Sequence, residues 1–138
     1  MRQSMYVLHA HPVRRGLTEI TDSVRGWVGK QDIAEGMLTL FCRHTSASLL
    51  IQENAARAVR NDLEKFFDEL APEGEDYEHD DEGPDDMPAH LKTALTQVQL
   101  NVPVMAGRLM LGTWQGIYLF EHRARPSTRE IVLHLVGE

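Results

Sequence analysis

The chain has 138 residues, 42% of them hydrophobic, enough for one core and too few for two. Its formal net charge is -7, and nine of the 21 acids crowd into residues 73–86, which hold no Lys or Arg, while the rest is nearly balanced at 12 acids against 14 bases. No basic face is available to displace counterions from nucleic acid, no apolar run reaches the ~18 residues of a membrane span, and the lone Cys42 excludes an intrachain disulfide framework; the expectation is one cytoplasmic domain, residues 1–138, with neither nucleic-acid nor membrane partners.

In chain order, MYVLHA (5–10) reads as an opening strand. From Leu17 to Val28 the spacing is helical, with Ile20, Val24, Trp27 and Val28 on one side, Gly29 as the stop and Trp27 as a core anchor. After Gly36, MLTLFCRH predicts a strand that places Leu38, Leu40, Cys42 and His44 on one face and Met37, Thr39, Phe41 and Arg43 on the other. ASLLIQEN continues as a strand and gives way near Asn54 to a helix carrying the stripe Ala55, Ala58, Val59, Asp62, Leu63, Phe66, Phe67 and Leu70, closed by Pro72 and Gly74.

Residues 72–88 form a polar connection whose length points to function or disorder. Pro88 suits the first turn of a helix that runs to about Thr96, with His90 early in it. The final third, VQLNVPV, RLMLGTW, GIYLFEH and TREIVLHLV, reads as an antiparallel set of strands. The resulting fold class is α+β, an antiparallel or mixed β-sheet packed with helices. Neither GxGxxG nor GxxxxGK[ST] occurs.

His44, His79 and His90 form the candidate metal site: neutral imidazole ligates zinc and related divalent ions, and three protein ligands leave a coordination position open. His44 closes an apolar strand in RHTSAS, whereas His79 and His90 bracket the acidic turn EHDDEGPDDMPAH. Asp86, four residues before His90, either ligates the metal or orients a histidine. Glu53 follows a central strand and suits acid/base work; Asn54 either contacts substrate or caps the next helix, with capping favoured. Thr45 and Ser46 offer hydroxyls to an oxyanion or cap their own turn. Glu121 follows Ile117 and Leu119 on one strand face, so it needs a partner such as Arg108 or a place in a pocket. Trp114 and Gln115 precede Gly116 at a turn, where Trp114 serves a ligand pocket or a subunit interface.

The succession FCRHTSASLLIQEN, DLEKFF, YEHDDEGPDDMPAHLK, GRLMLGTWQGIYLFEHR and VLHLVGE resembles the YjbQ family, also described as secondary thiamine-phosphate synthase proteins, over nearly the whole chain. The resemblance implies a homotrimer with clefts near subunit boundaries and strengthens His44, His79 and His90 as a shared metal site, with Glu53 and Asn54 in the family's QEN segment. It further implies joining a phosphorylated thiazole to a pyrimidine diphosphate with loss of pyrophosphate. A zinc or magnesium ion and Arg43, Arg108 or Arg123 would then meet the phosphates. The alternatives are a metal-dependent hydrolase of a small phosphorylated metabolite, with Glu53 positioning water, and a metal- or metabolite-binding module without turnover.

Overall fold

Strands turn successive side chains to opposite faces, and this period governs most of the chain in the computed structural model, which describes residues 1–138. The order is β1 (Arg2–Ala10), β2 (Gly16–Glu19), α1 (Thr21–Val28), β3 (Gly36–Cys42), β4 (Ala47–Glu53), α2 (Arg57–Leu70), α3 (Asp86–Leu95), β5 (Gln99–Met105), β6 (Arg108–Leu109), β7 (Gln115–Glu121) and β8 (Arg129–Gly137). One sheet runs β1-β8-β3-β5-β6 and the other β2-β7-β4. Every pairing is antiparallel, so the chain is an α+β fold of antiparallel sheets packed with helices.

The two sheets face each other across one main core. Leu38, Leu40 and Cys42 of β3 and Ile131, Leu133 and Leu135 of β8 meet Leu49 of β4 and Ile117 and Leu119 of β7 there. Val24 and Val28 of α1 close one end, with Trp27 packed against them as the apolar spacing predicts. A smaller cluster of Leu17, Tyr118 and Phe120 lies under Leu63 and Phe67 of α2. The Phe67 and Phe120 rings meet edge-on at 5.4 Å.

Several elements differ from the sequence reading. Residues Gly16–Glu19 form a strand, because pairing with β7 satisfies their backbone groups and buries Leu17 beside Phe120; the helix begins only at Thr21. The apolar row of β3 ends at Cys42, so His44 lies in the crossing from one sheet to the other. Asn54 caps nothing: α2 starts at Arg57, the Ala56 amide donates to Glu53 Oε2 at 3.0 Å, and Asn54 Nδ2 donates to Glu19 Oε2 at 3.1 Å. Of RLMLGTW only Arg108–Leu109 is strand. The consecutive strands β7 and β8 enter different sheets, which carries the connection between them across the mouth of the core.

Candidate metal centre

The acidic connection is folded back by Gly83, whose φ of 103° is open to glycine at little cost, and by the following Pro84. Asp86 then opens α3, where a carboxylate complements the unpaired amides and the positive end of the helix dipole. His90 stands one turn further along the same face. His79 arrives from the loop, and its ring lies 5.5 Å from that of His90.

Asp86 Oδ2 joins the two, 2.6 Å from His79 Nε2 and 3.2 Å from His90 Nε2. The carboxylate side chain is only 6% exposed, so its charge is met by protein groups rather than water. Burial works to raise the Asp86 pKa, but the His79 hydrogen bond and the charges of Arg123 and His90 outweigh it and hold the group below the usual carboxylate range. His79 moves the other way, raised chiefly by its bond to Asp86.

The donor set fits a divalent cation. One atom each from His79, Asp86 and His90 lies within 4.8 Å of the other two. Tetrahedral zinc bonds of about 2.0–2.1 Å set donors roughly 3.3 Å apart, so the Asp86 to His90 spacing of 3.2 Å is already suitable, while the 2.6 Å between Asp86 and His79 must lengthen. Glu82 Oε2, 3.1 Å from His79 Nε2 on the solvent side, belongs with Asp81 to a separate group around His79 and is not among the donors gathered at Asp86.

His44 is not in this cluster. Its Nε2 lone pair accepts the Glu130 backbone amide at 2.8 Å, so the neutral ring carries its proton on Nδ1 as a donor. Burial, then the charge of Arg129, keeps its pKa below the ordinary histidine value. His44 and His90 do share a cavity of about 620 Å³, with Phe41, Ala94 and Val98 as an apolar wall, Thr93 between, and Arg43 and Thr45 beside His44. Cys42 also lines it, but burial pushes its thiol up to about 11, which removes it as a thiolate. A second cavity at His79 is ringed by Glu78, Asp80 and Asp81 and would repel an anion.

The other sequence candidates lie elsewhere. Glu53 pairs with Gln115 while Ala47, at the start of β4, pairs with Glu121. Six strand steps of about 3.3 Å put Glu53, Asn54, Trp114 and Gln115 roughly 20 Å from the end of the sheet that carries the histidines. Trp114 is exposed there, and Gln115 Oε1 accepts the Gly112 amide at 2.8 Å. Ser46 contributes its carbonyl to Arg129 and to the His122 amide, 3.2 Å each. Arg108 is exposed on β6.

Glu121 is fully buried, but its partner is Arg129 and not Arg108. Beside it, His122 is 1% exposed with Nε2 2.9 Å from Ser48 Oγ. The apolar row leading to Glu121 announced the need for a cation; only the sheet order shows which one. Arg123 is equally hidden from the sequence as anything but a phosphate contact, because its partners, Asp85 and Asp86, are nearly forty residues away.

The family model for UPF0047 proteins, described as YjbQ-like, matches residues 7–138. A UPF0047 protein of Synechocystis sp. is 46% identical over 138 residues, spanning 99% of this chain and 94% of its own. The UPF0047 protein YjbQ of Salmonella typhimurium is 46% identical over 125 residues, covering 90% and 91%. A YbjQ-like protein of unknown function from Sulfolobus solfataricus superimposes with a TM-score of 0.92 at 26% identity, over 99% of each chain. A conserved hypothetical protein from Thermus thermophilus gives a TM-score of 0.85 at 34% identity, over 95% of this chain and 99% of that one. By sequence and by fold, the chain belongs to the UPF0047 family of YjbQ-like proteins.

Proposed function

We propose that this chain is a metal-dependent enzyme acting on a small phosphorylated metabolite, with a divalent cation held by His79, Asp86 and His90, a donor set that suits zinc, magnesium entering only with a diphosphate substrate. The observation that carries this reading is the meeting of two imidazoles on one buried carboxylate oxygen beside a cavity with an apolar wall and a basic end. Its volume lies within the usual range for small-ligand sites, about 300–1,000 Å³. When bound, the cation supplies Lewis-acid stabilisation of a phosphoryl or diphosphate group. Arg43 is held only by an exposed ion pair to Glu130 at 2.8 Å, a weak tie that a substrate phosphate replaces. His44, neutral and protonated on Nδ1, donates a hydrogen bond to an anionic oxygen.

The specific reaction proposed is the joining of a phosphorylated thiazole to a pyrimidine diphosphate with pyrophosphate release. The apolar wall of Phe41, Ala94 and Val98 suits a heteroaromatic ring, and Arg43 with His44 suits its phosphate. Metal-defined protein given both substrates is expected to form thiamine phosphate, and a His90→Ala protein to form none; equal product from the two proteins refutes the assignment. A hydrolytic reading is favoured by the donor set itself, since two histidines and a carboxylate are the ligands of water-activating centres. It predicts phosphate release from a panel of phosphate esters in place of condensation.

Cobalt or zinc titration separates ligands from pocket residues. Asp86→Ala and His90→Ala are expected to lose the tight site, whereas His44→Ala is expected to retain metal affinity within a few-fold. A His44→Ala protein that binds no metal would contradict this ligand set.

A homotrimer is also proposed. The outer face of the five-stranded sheet carries Met5 and Met37, each more than 40% exposed, and continues to Phe41 at the cavity's edge. Sedimentation equilibrium at micromolar concentration is expected to give three times the chain mass.

A further inference from the structure

The metal centre has a second layer that none of the ligands supplies. Arg123 leaves the end of β7 and reaches under the loop to three groups at once. Its Nε donates to Asp85 Oδ2 at 3.0 Å, its Nη1 to Asp86 Oδ1 at 2.6 Å and its Nη2 to the Glu82 carbonyl at 2.9 Å. The Ala124 amide completes the grip on Asp85, 2.8 Å from Oδ2.

This arrangement divides the two oxygens of Asp86. Oδ1 belongs to Arg123 and Oδ2 to the imidazoles. A buried carboxylate with both oxygens free would turn about its last torsion and present either one. The fixed, planar fork of guanidinium removes that freedom, and it spans two neighbouring carboxylates in a way that a single ammonium cannot. Gly83 belongs to the same device: a Cβ there would come within 3.1 Å of Asp85 Oδ1.

The base of the fork is fixed as well. Glu121 Oε2 accepts the amides of His122 at 3.0 Å and of Arg123 at 3.2 Å, and the same carboxylate is paired with Arg129 inside the core. The path from core to cation site is thus Arg129, Glu121, the Arg123 backbone, the Arg123 side chain and Asp86. On the far side of the connection, the Glu130 amide holds His44. Residues 121–130 therefore fix both the metal cluster and the cavity wall.

We infer that Arg123 is the positioning residue of the metal centre: by clamping Asp85 and Asp86 it presents one Asp86 oxygen to both histidines, and it is not a substrate-phosphate contact. This role rests on the proposed cation site at His79, Asp86 and His90. Outer groups that orient ligands typically contribute 10- to 100-fold to metal affinity.

The test is titration of chelator-treated full-length protein with zinc and with cobalt, reading affinity by competition and geometry by the visible cobalt bands. Arg123→Gln is expected to bind about 10- to 100-fold more weakly with altered bands. Arg123→Lys should recover only part of the loss, and Arg125→Gln, which removes the same charge from an exposed neighbour, should match the wild type. Wild-type affinity and bands in Arg123→Gln overturn the inference while leaving the metal centre intact; a wild-type chain that binds neither ion overturns both. Should Arg123→Gln not fold, Arg123→Lys decides: unchanged affinity and bands refute the clamp, and weaker binding with changed bands sustains it. Inorganic phosphate supplies the remaining arm, since metal-loaded Arg123→Lys should bind it as wild type does, and a selective loss of phosphate binding returns Arg123 to the role of substrate contact.

Discussion

Glu121→Ala is expected to destabilise the chain by about 3–5 kcal/mol, because it leaves the Arg129 guanidinium buried without its counter-charge. The Arg123 amide also loses its acceptor, and the His122 amide keeps only the Ser46 carbonyl. Against a total stability of roughly 5–15 kcal/mol this is a large fraction. At several degrees per kcal/mol for a chain of this size, the melting temperature should fall by roughly 10–20 °C. The double variant Glu121→Ala/Arg129→Met removes both charges and should recover part of the loss, since a buried pair replaced by apolar groups is often neutral. Equilibrium denaturation of the three proteins checks this, and a Glu121→Ala protein within about 1 kcal/mol of wild type would show the pair to be dispensable. The residual folded protein should also bind metal less tightly, because Arg123 then hangs from a loosened backbone.

The second large effect is on acid stability. His122 is buried against Phe120, with ring centroids 4.4 Å apart, and burial, aided by the charges of Lys92 and Arg129, pushes its pKa down to about 3 from 6.5. Its hydrogen bonds agree with a neutral ring. Thr96 Oγ1 lies 2.7 Å from the Lys92 carbonyl and 2.6 Å from Ser48 Oγ, so Thr96 donates to the carbonyl, Ser48 to Thr96 and His122 Nε2 to Ser48. Nδ1 is then a bare, buried lone pair without a partner, which costs less than an unpaired N–H in the same place.

Because the folded pKa is depressed, the unfolded chain binds the extra proton between about pH 6.5 and 3. The stability that the neutral ring contributes is therefore complete above pH 6.5 and is lost as pH falls toward 3. By about pH 4 the loss attributable to His122 is about 3 kcal/mol. His122→Asn, which does not titrate, is expected to show a stability profile flatter than wild type by that amount between about pH 7 and pH 4. Urea midpoints at unit pH intervals measure it, and parallel profiles would falsify the assignment. His79, raised by Asp86, works in the opposite sense: its contribution is present below its unfolded pKa and lost as pH rises. Both proteins share that term, so it cancels in the comparison.

Fold class and most strands were legible in the sequence, because alternation of apolar residues over several consecutive positions is a local property of the chain. The segment from His79 to His90 was legible for the same reason: an acidic loop, a helix-starting proline and two histidines, with Asp86 one helical turn before His90, are all within reach of local geometry. The remainder depended on long-range pairing. Leu17 reads as the start of a helix by spacing alone, but pairing with the edge of β7 makes it strand. Glu53 and Asn54 looked like partners of the histidines because they follow a central strand, where element ends often carry functional groups. Yet a strand carries them about 20 Å away. His44 shared the chemistry of the other histidines, but the amide that takes its Nε2 belongs to Glu130, 86 residues later. Arg129 acquired its role through Glu121 across the connection between β7 and β8, and Arg123 through Asp85 and Asp86, carboxylates that the loop and α3 bring from nearly forty residues away. A ligand type can be read from a side chain, but which charges meet is fixed by sheet order, since burial forces each ion to find whichever partner the fold places beside it.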